Sequence, residues 1–302
     1  MAETASNIPP ILPQQVQSAE EKAVSPWKEA WKNFKKNKLA IVGLSIVAFF
    51  ILLAILAPLI APYDVAKQEL SNKHLAPSGE HWFGTDEFGR DIFSRIIYGA
   101  RISLWVGFVS VTGSVIVGSF LGIVAGYYGR WVDTIISRIF DIILAFPSIL
   151  LAIAVVAALG PSLQNALIAI AIINVPTFGR LLRSRVLSVK EEEYITAAKA
   201  IGMKDSRILI HHILPNSLAP IIVQGTLAIA TAIIECAALG FLGMGAQAPT
   251  PEWGKMLADS RSFILQAPWT VLFPGLAIML TVLGFNLMGD GLRDALDPRM
   301  KN

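Results

Sequence analysis

The sequence predicts an all-α fold, a polytopic membrane protein with six transmembrane helices, on three observations. Hydrophobic residues fill 54% of the 302 positions and charged residues only 16%, outside the usual range of water-soluble domains. Six apolar runs reach the roughly 20 helical residues needed to cross a hydrocarbon core about 30 Å thick. Lys and Arg collect beside alternate connections, as six crossings with both chain ends on one side require.

Residues 1–24 are polar and rich in Pro, Gln and Glu. They lack the charged-then-apolar pattern of a cleaved secretory signal and are expected to form a disordered cytoplasmic tail. A helix is predicted over 25–38, with Ser25 as cap and Pro26 in the first turn, where its missing N–H costs nothing. Trp27, Trp31 and Phe34 recur at helical spacing opposite Lys28, Lys32 and Lys35. This pattern fits an interfacial amphipathic helix on the membrane surface, or simply the lead-in to the first span.

The membrane domain is expected over 39–302, with spans at about 39–60, 102–127, 135–159, 163–182, 218–244 and 269–288. Pro58, Pro147, Pro176 and Pro274 lie in or beside these runs, where they kink helices that a bundle can still hold. Basic residues precede the first run (Lys32, Lys35, Lys36, Lys38), separate the second from the third (Arg130, Arg138), fill the connection between the fourth and fifth, and close the chain (Arg293, Arg299, Lys301). These positions share one side, so both termini are predicted to be cytoplasmic. The external segments are then 62–101 and 245–268. In the first, Thr85 or Asp86 is expected to cap a short helix; in the second, Pro249-Thr250-Pro251 leads into a helical pattern from Glu252 to Leu265.

The cytoplasmic connection 183–217 is a polar island between two apolar runs. Glu191 to Ile201 are mostly good helix formers, and Gly202 falls where a helix end needs positive φ. Asp205 is expected to cap a second helix that stops by Pro215. Ala198 and Gly202, four residues apart, are expected to share a face without bulk. Two readings of this helix, elbow, helix pattern stand: a connector packed on the bundle, or a docking surface for another protein.

Thr196-Ala197-Ala198, Gly202 and Leu214-Pro215 resemble the cytoplasmic loop of ABC-importer permease subunits. That loop reads Glu-Ala-Ala, three residues, Gly, nine residues, then Ile-x-Leu-Pro. Thr196 stands in place of the glutamate and His212 in place of the isoleucine, with Glu193 as a neighbouring first-turn acid. Further motifs resemble the C-type subunit of the peptide/nickel branch of this family: Trp82 to Asp86, Gly89-Arg90-Asp91, Ser94-Arg95, Gly99 to Leu104, Glu235 to Gly243, and Asn286 through Arg299.

The resemblance implies a permease in a bacterial cell membrane that carries di- or oligopeptides, with nickel or another small solute as the alternative. It implies three kinds of partner besides membrane lipid: a homologous second permease subunit, two ABC ATPase subunits, and an extracytoplasmic substrate-binding protein. No cofactor is implied on this chain, since ATP and Mg belong to the partner ATPases. The expected coupling residues are Glu193, Thr196, Ala197, Ala198, Gly202, Asp205, Leu214 and Pro215. Asp86, Arg90, Asp91 and Arg95 are expected on the external rim or at the binding-protein contact.

Other chemistry finds little footing. The sequence has no Walker-type phosphate loop, so no nucleotide site is expected and the chain is predicted not to be an enzyme. Gly243 to Ala248 mimics a dinucleotide fingerprint but follows a membrane-length run rather than a short strand. The single cysteine, Cys236, excludes an internal disulfide, and the four histidines lack metal-ligand spacing. Nor do basic residues cluster with aromatics as a nucleic-acid partner requires. Glu235, inside the fifth run, is either a hydrogen-bonded structural acid or a residue of the pathway. A self-contained secondary transporter that uses Glu235 is the rival from another class.

Overall fold

The computed structural model describes residues 26–296, and the expected tail over 1–24, both chain ends and the last basic residues lie outside them. Among the described residues the chain is helical, without a strand. Helix α1 (Pro26–Lys36) ends two residues short of the predicted end at 38. Asn37 breaks it and caps α2 (Lys38–Ile60), its Oδ1 accepting from the Leu39 and Ala40 N–H groups at 3.1 and 3.2 Å. Phe34 is buried, and Trp31 is half exposed under the Lys35 ammonium, so α1 has one packed and one open face.

Helix α3 (Ile92–Tyr128) has 37 residues, about 55 Å at 1.5 Å per residue. It includes the expected second span but starts ten residues sooner. Asp91, rather than Thr85 or Asp86, is its cap: Asp91 Oδ2 accepts from the Ser94 N–H at 2.7 Å. The helix starts this early because Ile92, Ile96 and Ala100 are buried with Phe50 and Trp253, and burying each isoleucine is worth about 1.5–3 kcal/mol.

The expected third span is broken. Helices α4 (Arg130–Leu144) and α5 (Ser148–Leu159) meet at 94°, with Pro147 at the joint, where a proline removes a helical N–H. Among the described residues five helices are long and apolar enough to cross a membrane, or six if the bent pair counts as one span. Helix α6 (Leu163–Lys190) begins at Ser162, whose hydroxyl accepts from the Asn165 N–H. It packs closely along α3: a Cβ at Gly122 would stand 2.2 Å from the Gly179 carbonyl oxygen, and one at Gly118 would stand 2.5 Å from the Val175 carbonyl. Small residues four apart let two backbones meet in this way.

After the island, the chain does not stop at Pro215. Helix α8 (Asp205–Ile208) passes through a π-helical turn (Leu209–Ile213) into α9 (Leu214–Phe241). The Leu214 N–H reaches back to the Leu209 carbonyl. A proline in the first turn of α9 costs little, because the wide turn has already redistributed the hydrogen bonds. The short helix α10 (Trp253–Ser260) and the last span α11 (Trp269–Leu296) complete the bundle.

Candidate functional site

Two polar regions stand at opposite ends of α3. At the Tyr128 end lies the island. Helix α7 (Glu193–Ala200) closes in a Schellman turn: Met203 N–H donates to the Ala198 carbonyl and Gly202 N–H to the Lys199 carbonyl, with Gly202 at φ 82°. This is the left-handed elbow expected at that position. A Cβ at Gly202 would meet nothing within 4 Å. Ile201, beside it, is 80% exposed. Ile201, Gly202, Met203, Lys204, Ser206 and Arg207 line an open concavity of about 620 Å³.

The shared small face is not what forms. Ala198 is buried with Ile195, facing inward, while Gly202 lies open. The reason is that Ile195, Ile208 and Ile213 close a small core with Tyr127 and Val186, which fixes the rotation of α7. Glu193, Thr196, Ala197 and Pro215 are exposed and Leu214 is half-buried. Asp205 is the first residue of α8 rather than its cap, and its carboxylate accepts the Tyr127 hydroxyl hydrogen bond. Lys190 Nζ donates to the Tyr127 carbonyl at 3.2 Å, and the Lys199 ammonium stands 5.6 Å over the Tyr127 ring. Tyr127 therefore ties the island to α3. Sequence reasoning passed it over as the end of a span.

At the Ile92 end, the four charges expected on the external rim or at the binding-protein contact are at most 5% exposed. Asp86 Oδ1 accepts from the N–H groups of Phe88 and Arg90, and Oδ2 accepts from Arg90 Nε at 2.6 Å. Arg95 stands 3.6 Å from the same carboxylate and donates to the Val65 and Pro249 carbonyls at 2.9 and 3.3 Å. Asp91 takes the Ser94 hydroxyl and the His81 ring nitrogen. These groups join three stretches of sequence from within, so their side chains are not presented outward. Burial, and then the Asp86 charge, push the Glu87 carboxyl above the usual carboxylate range.

The segment around α10 locks onto this cluster. Trp253 is fully buried and its indole N–H donates to the Ile96 carbonyl at 3.1 Å. Glu252 caps α10, accepting from Gly254 N–H and Lys255 N–H at 2.8 Å each. Burial pushes its carboxyl up to about 7 against those two bonds. Glu235 in α9 is 8% exposed, and Asn174 Nδ2 of α6 donates to it at 3.3 Å. Among the described residues no group of three or more His, Cys, Asp or Glu side chains is placed to hold a metal ion.

A bundle of membrane-length helices, with a polar helical elbow at one end and a locked polar cap at the other, is the build of a membrane permease. A family model described as "Binding-protein-dependent transport system inner membrane component" matches residues 118–302, and "N-terminal TM domain of oligopeptide transport permease C" matches residues 25–77. The chain belongs to the binding-protein-dependent transport permease family.

Similar proteins agree with this assignment. The chain is 72% identical over 280 residues to "Dipeptide transport system permease protein DppC" of Alkalihalophilus pseudofirmus, covering 93% of this chain and 92% of the relative. It is 49% identical to the protein of that description from Haemophilus influenzae, over 92% and 96% of the two chains. It is 48% identical to "Glutathione transport system permease protein GsiD" of Escherichia coli, over 97% and 95%. A chain of the inward-facing MetNI methionine ABC transporter shares the fold, with TM-score 0.55 and 18% identity over 68% of this chain and 98% of that one.

Proposed function

We propose that this chain forms half of the translocation pathway of an ATP-driven importer of di- and oligopeptides, and performs no chemistry of its own. The peptide class rests on the relatives named for dipeptide and glutathione transport. In this reading a homologous second permease subunit completes the pathway, an extracytoplasmic binding protein delivers substrate, and two ABC ATPases bind ATP and Mg. The island faces the cytoplasm, as do both termini, in a bacterial cell membrane. A permease for nickel or another small solute is the alternative on the same fold, and a self-contained secondary transporter is the rival mechanism.

The observation that carries the coupling role is the open elbow at Gly202, flanked by the exposed Ile201, Lys204 and Arg207. Glu193, Thr196 and Ala197 extend that exposed surface along α7, whereas Ala198 supports it from beneath. Asp205 holds the surface to α3 through Tyr127. Leu214 and Pro215 begin the span that would carry motion inward.

Gly202→Phe tests it. The site has room, so the fold should bear only the left-handed backbone penalty of about 1–2 kcal/mol. Membrane insertion should survive, while uptake and binding-protein-stimulated ATP hydrolysis are lost. Transport at the wild-type rate would remove the island from the coupling path. Gradient-driven uptake by the chain reconstituted alone would favour the secondary transporter.

A further inference from the structure

Glu235 is a carboxylate without a resident cation. It lies within a membrane-spanning helix and, among the described residues, forms no ion pair; its polar neighbours are Asn174 and Ser148. Its hydrogen bond from Asn174 is long at 3.3 Å, and the same amide nitrogen donates to the Ile170 carbonyl at 2.9 Å. The Ser148 side chain stands beside the same carboxylate. An acid in such surroundings is costly, and intramembrane acids that persist do so beside a partner or a wet cavity.

The break between α4 and α5 lies beside this carboxylate. Ser148 is the first residue after the 94° joint, and Phe146, Pro147 and Ser148 are all exposed. Helices α5 and α6 are joined by the short turn at 160–162, which sets a common depth. Ser148 and Asn174 lie eleven residues from their ends of that turn, about 17 Å at 1.5 Å per residue. That length is roughly half the thickness of a hydrocarbon core about 30 Å thick. Discontinuous helices near the bilayer midplane are where transported solutes meet polar groups. Apolar residues surround the cluster: Ile170, Ile173, Ala232, Cys236 and Leu239 belong to one buried core.

We propose that Glu235, with Asn174 and Ser148, forms a cation-recognition subsite in the pathway that takes the α-ammonium group of the passing peptide. The carboxylate provides the charge, the amide holds one of its oxygens in place, and the serine hydroxyl accepts a further ammonium hydrogen. The apolar wall raises the strength of the pairing, and the absence of a resident Lys or Arg leaves the position free for each new substrate. This inference rests on the peptide reading above.

The test uses the complete transporter with its partner subunits in proteoliposomes, and two probes, dialanine and N-acetyl-dialanine. Selection by the delivering protein is common to all permease variants, so it cancels when the dialanine to N-acetyl-dialanine uptake ratio is compared between them. Glu235→Gln keeps the shape and a hydrogen bond to Asn174 but removes the charge. Its ratio should fall about tenfold, the scale of one charge-assisted hydrogen bond, with stimulated ATP hydrolysis within about twofold of wild type. Glu235→Asp should recover part of the ratio. An unchanged ratio in Glu235→Gln, or equal loss of both probes together with ATP hydrolysis, overturns the subsite and leaves Glu235 a structural acid. A wild-type transporter that takes up neither probe overturns the peptide reading itself, and the subsite with it.

Discussion

The two polar ends of α3 use charge in opposite ways. At the outer end, Asp86, Arg90, Asp91 and Arg95 are buried and bonded to one another or to backbone from distant stretches. At the island, Glu191, Glu192, Glu193, Lys204 and Arg207 are exposed, and among the described residues they form no ion pair. One end spends its charges on holding itself together, and the other leaves them free. The contrast extends to glycine: a Cβ at Gly99 would meet the Pro251 carbonyl oxygen at 2.5 Å, whereas one at Gly202 meets nothing. A region whose charges are mostly engaged by its own contacts has little left to offer a partner, which is why we propose the island for coupling.

The sharpest way to break this comparison is Asp86→Ala, which strands two buried guanidinium groups. Removing one partner of a buried pair costs about 3–5 kcal/mol. The yield of monodisperse protein in detergent and its thermal midpoint should both drop steeply. A midpoint near wild type would mean the cluster contributes little to the external cap.

A pH titration probes the same end at the next scale. Glu252 has its carboxyl raised to about 7 in the fold, above about 4.3 when unfolded, so the native state holds more protons between those values. Its stabilising contribution is complete below about pH 4.3 and is lost as pH rises through about 7, on the order of 3 kcal/mol in all. Hydrogen exchange in α10 should therefore quicken over that window. Glu252→Gln should flatten the dependence, and an equally steep profile in the variant would place its origin elsewhere.

At the island, Tyr127→Phe removes only the hydroxyl bonded to Asp205. A hydrogen bond to a charged group contributes about 1.5–3 kcal/mol. Faster proteolysis between 190 and 214, with the rest of the bundle unchanged, is the expected result. The smallest effect belongs to Arg207→Ala, an exposed site where stability should move by no more than about 0.5 kcal/mol. Uptake by the assembled transporter should nevertheless fall. Uptake at wild-type levels would blur the distinction between the two ends.

Much of the fold was legible along the chain. Apolar runs marked the spans, and Gly202 marked the elbow, because helix length and left-handed backbone are local demands. The ends of the helices were less legible. Residues Ile92 to Ala100 read as external because Asp91 and Arg95 are charged, yet their burial against Trp253 continues α3 outward. Pro215 read as a stop, and a π-helical turn carries the chain past it. The stripe Gly118, Gly122 and Gly126 was visible at helical spacing and pointed to a close helix pair that was not drawn from it.

The sequence by itself determined that the chain is a helical membrane permease, since hydropathy, small residues and motifs are properties of short stretches. Only the tertiary structure decided which charges are spent and which are free. Arg95 and Arg207 are alike on paper. One is enclosed by carbonyls from residues 30 positions before and 154 positions after it, and the other has no such neighbour to meet. Enclosure depends on what distant segments bring to the same point, and no local pattern encodes that.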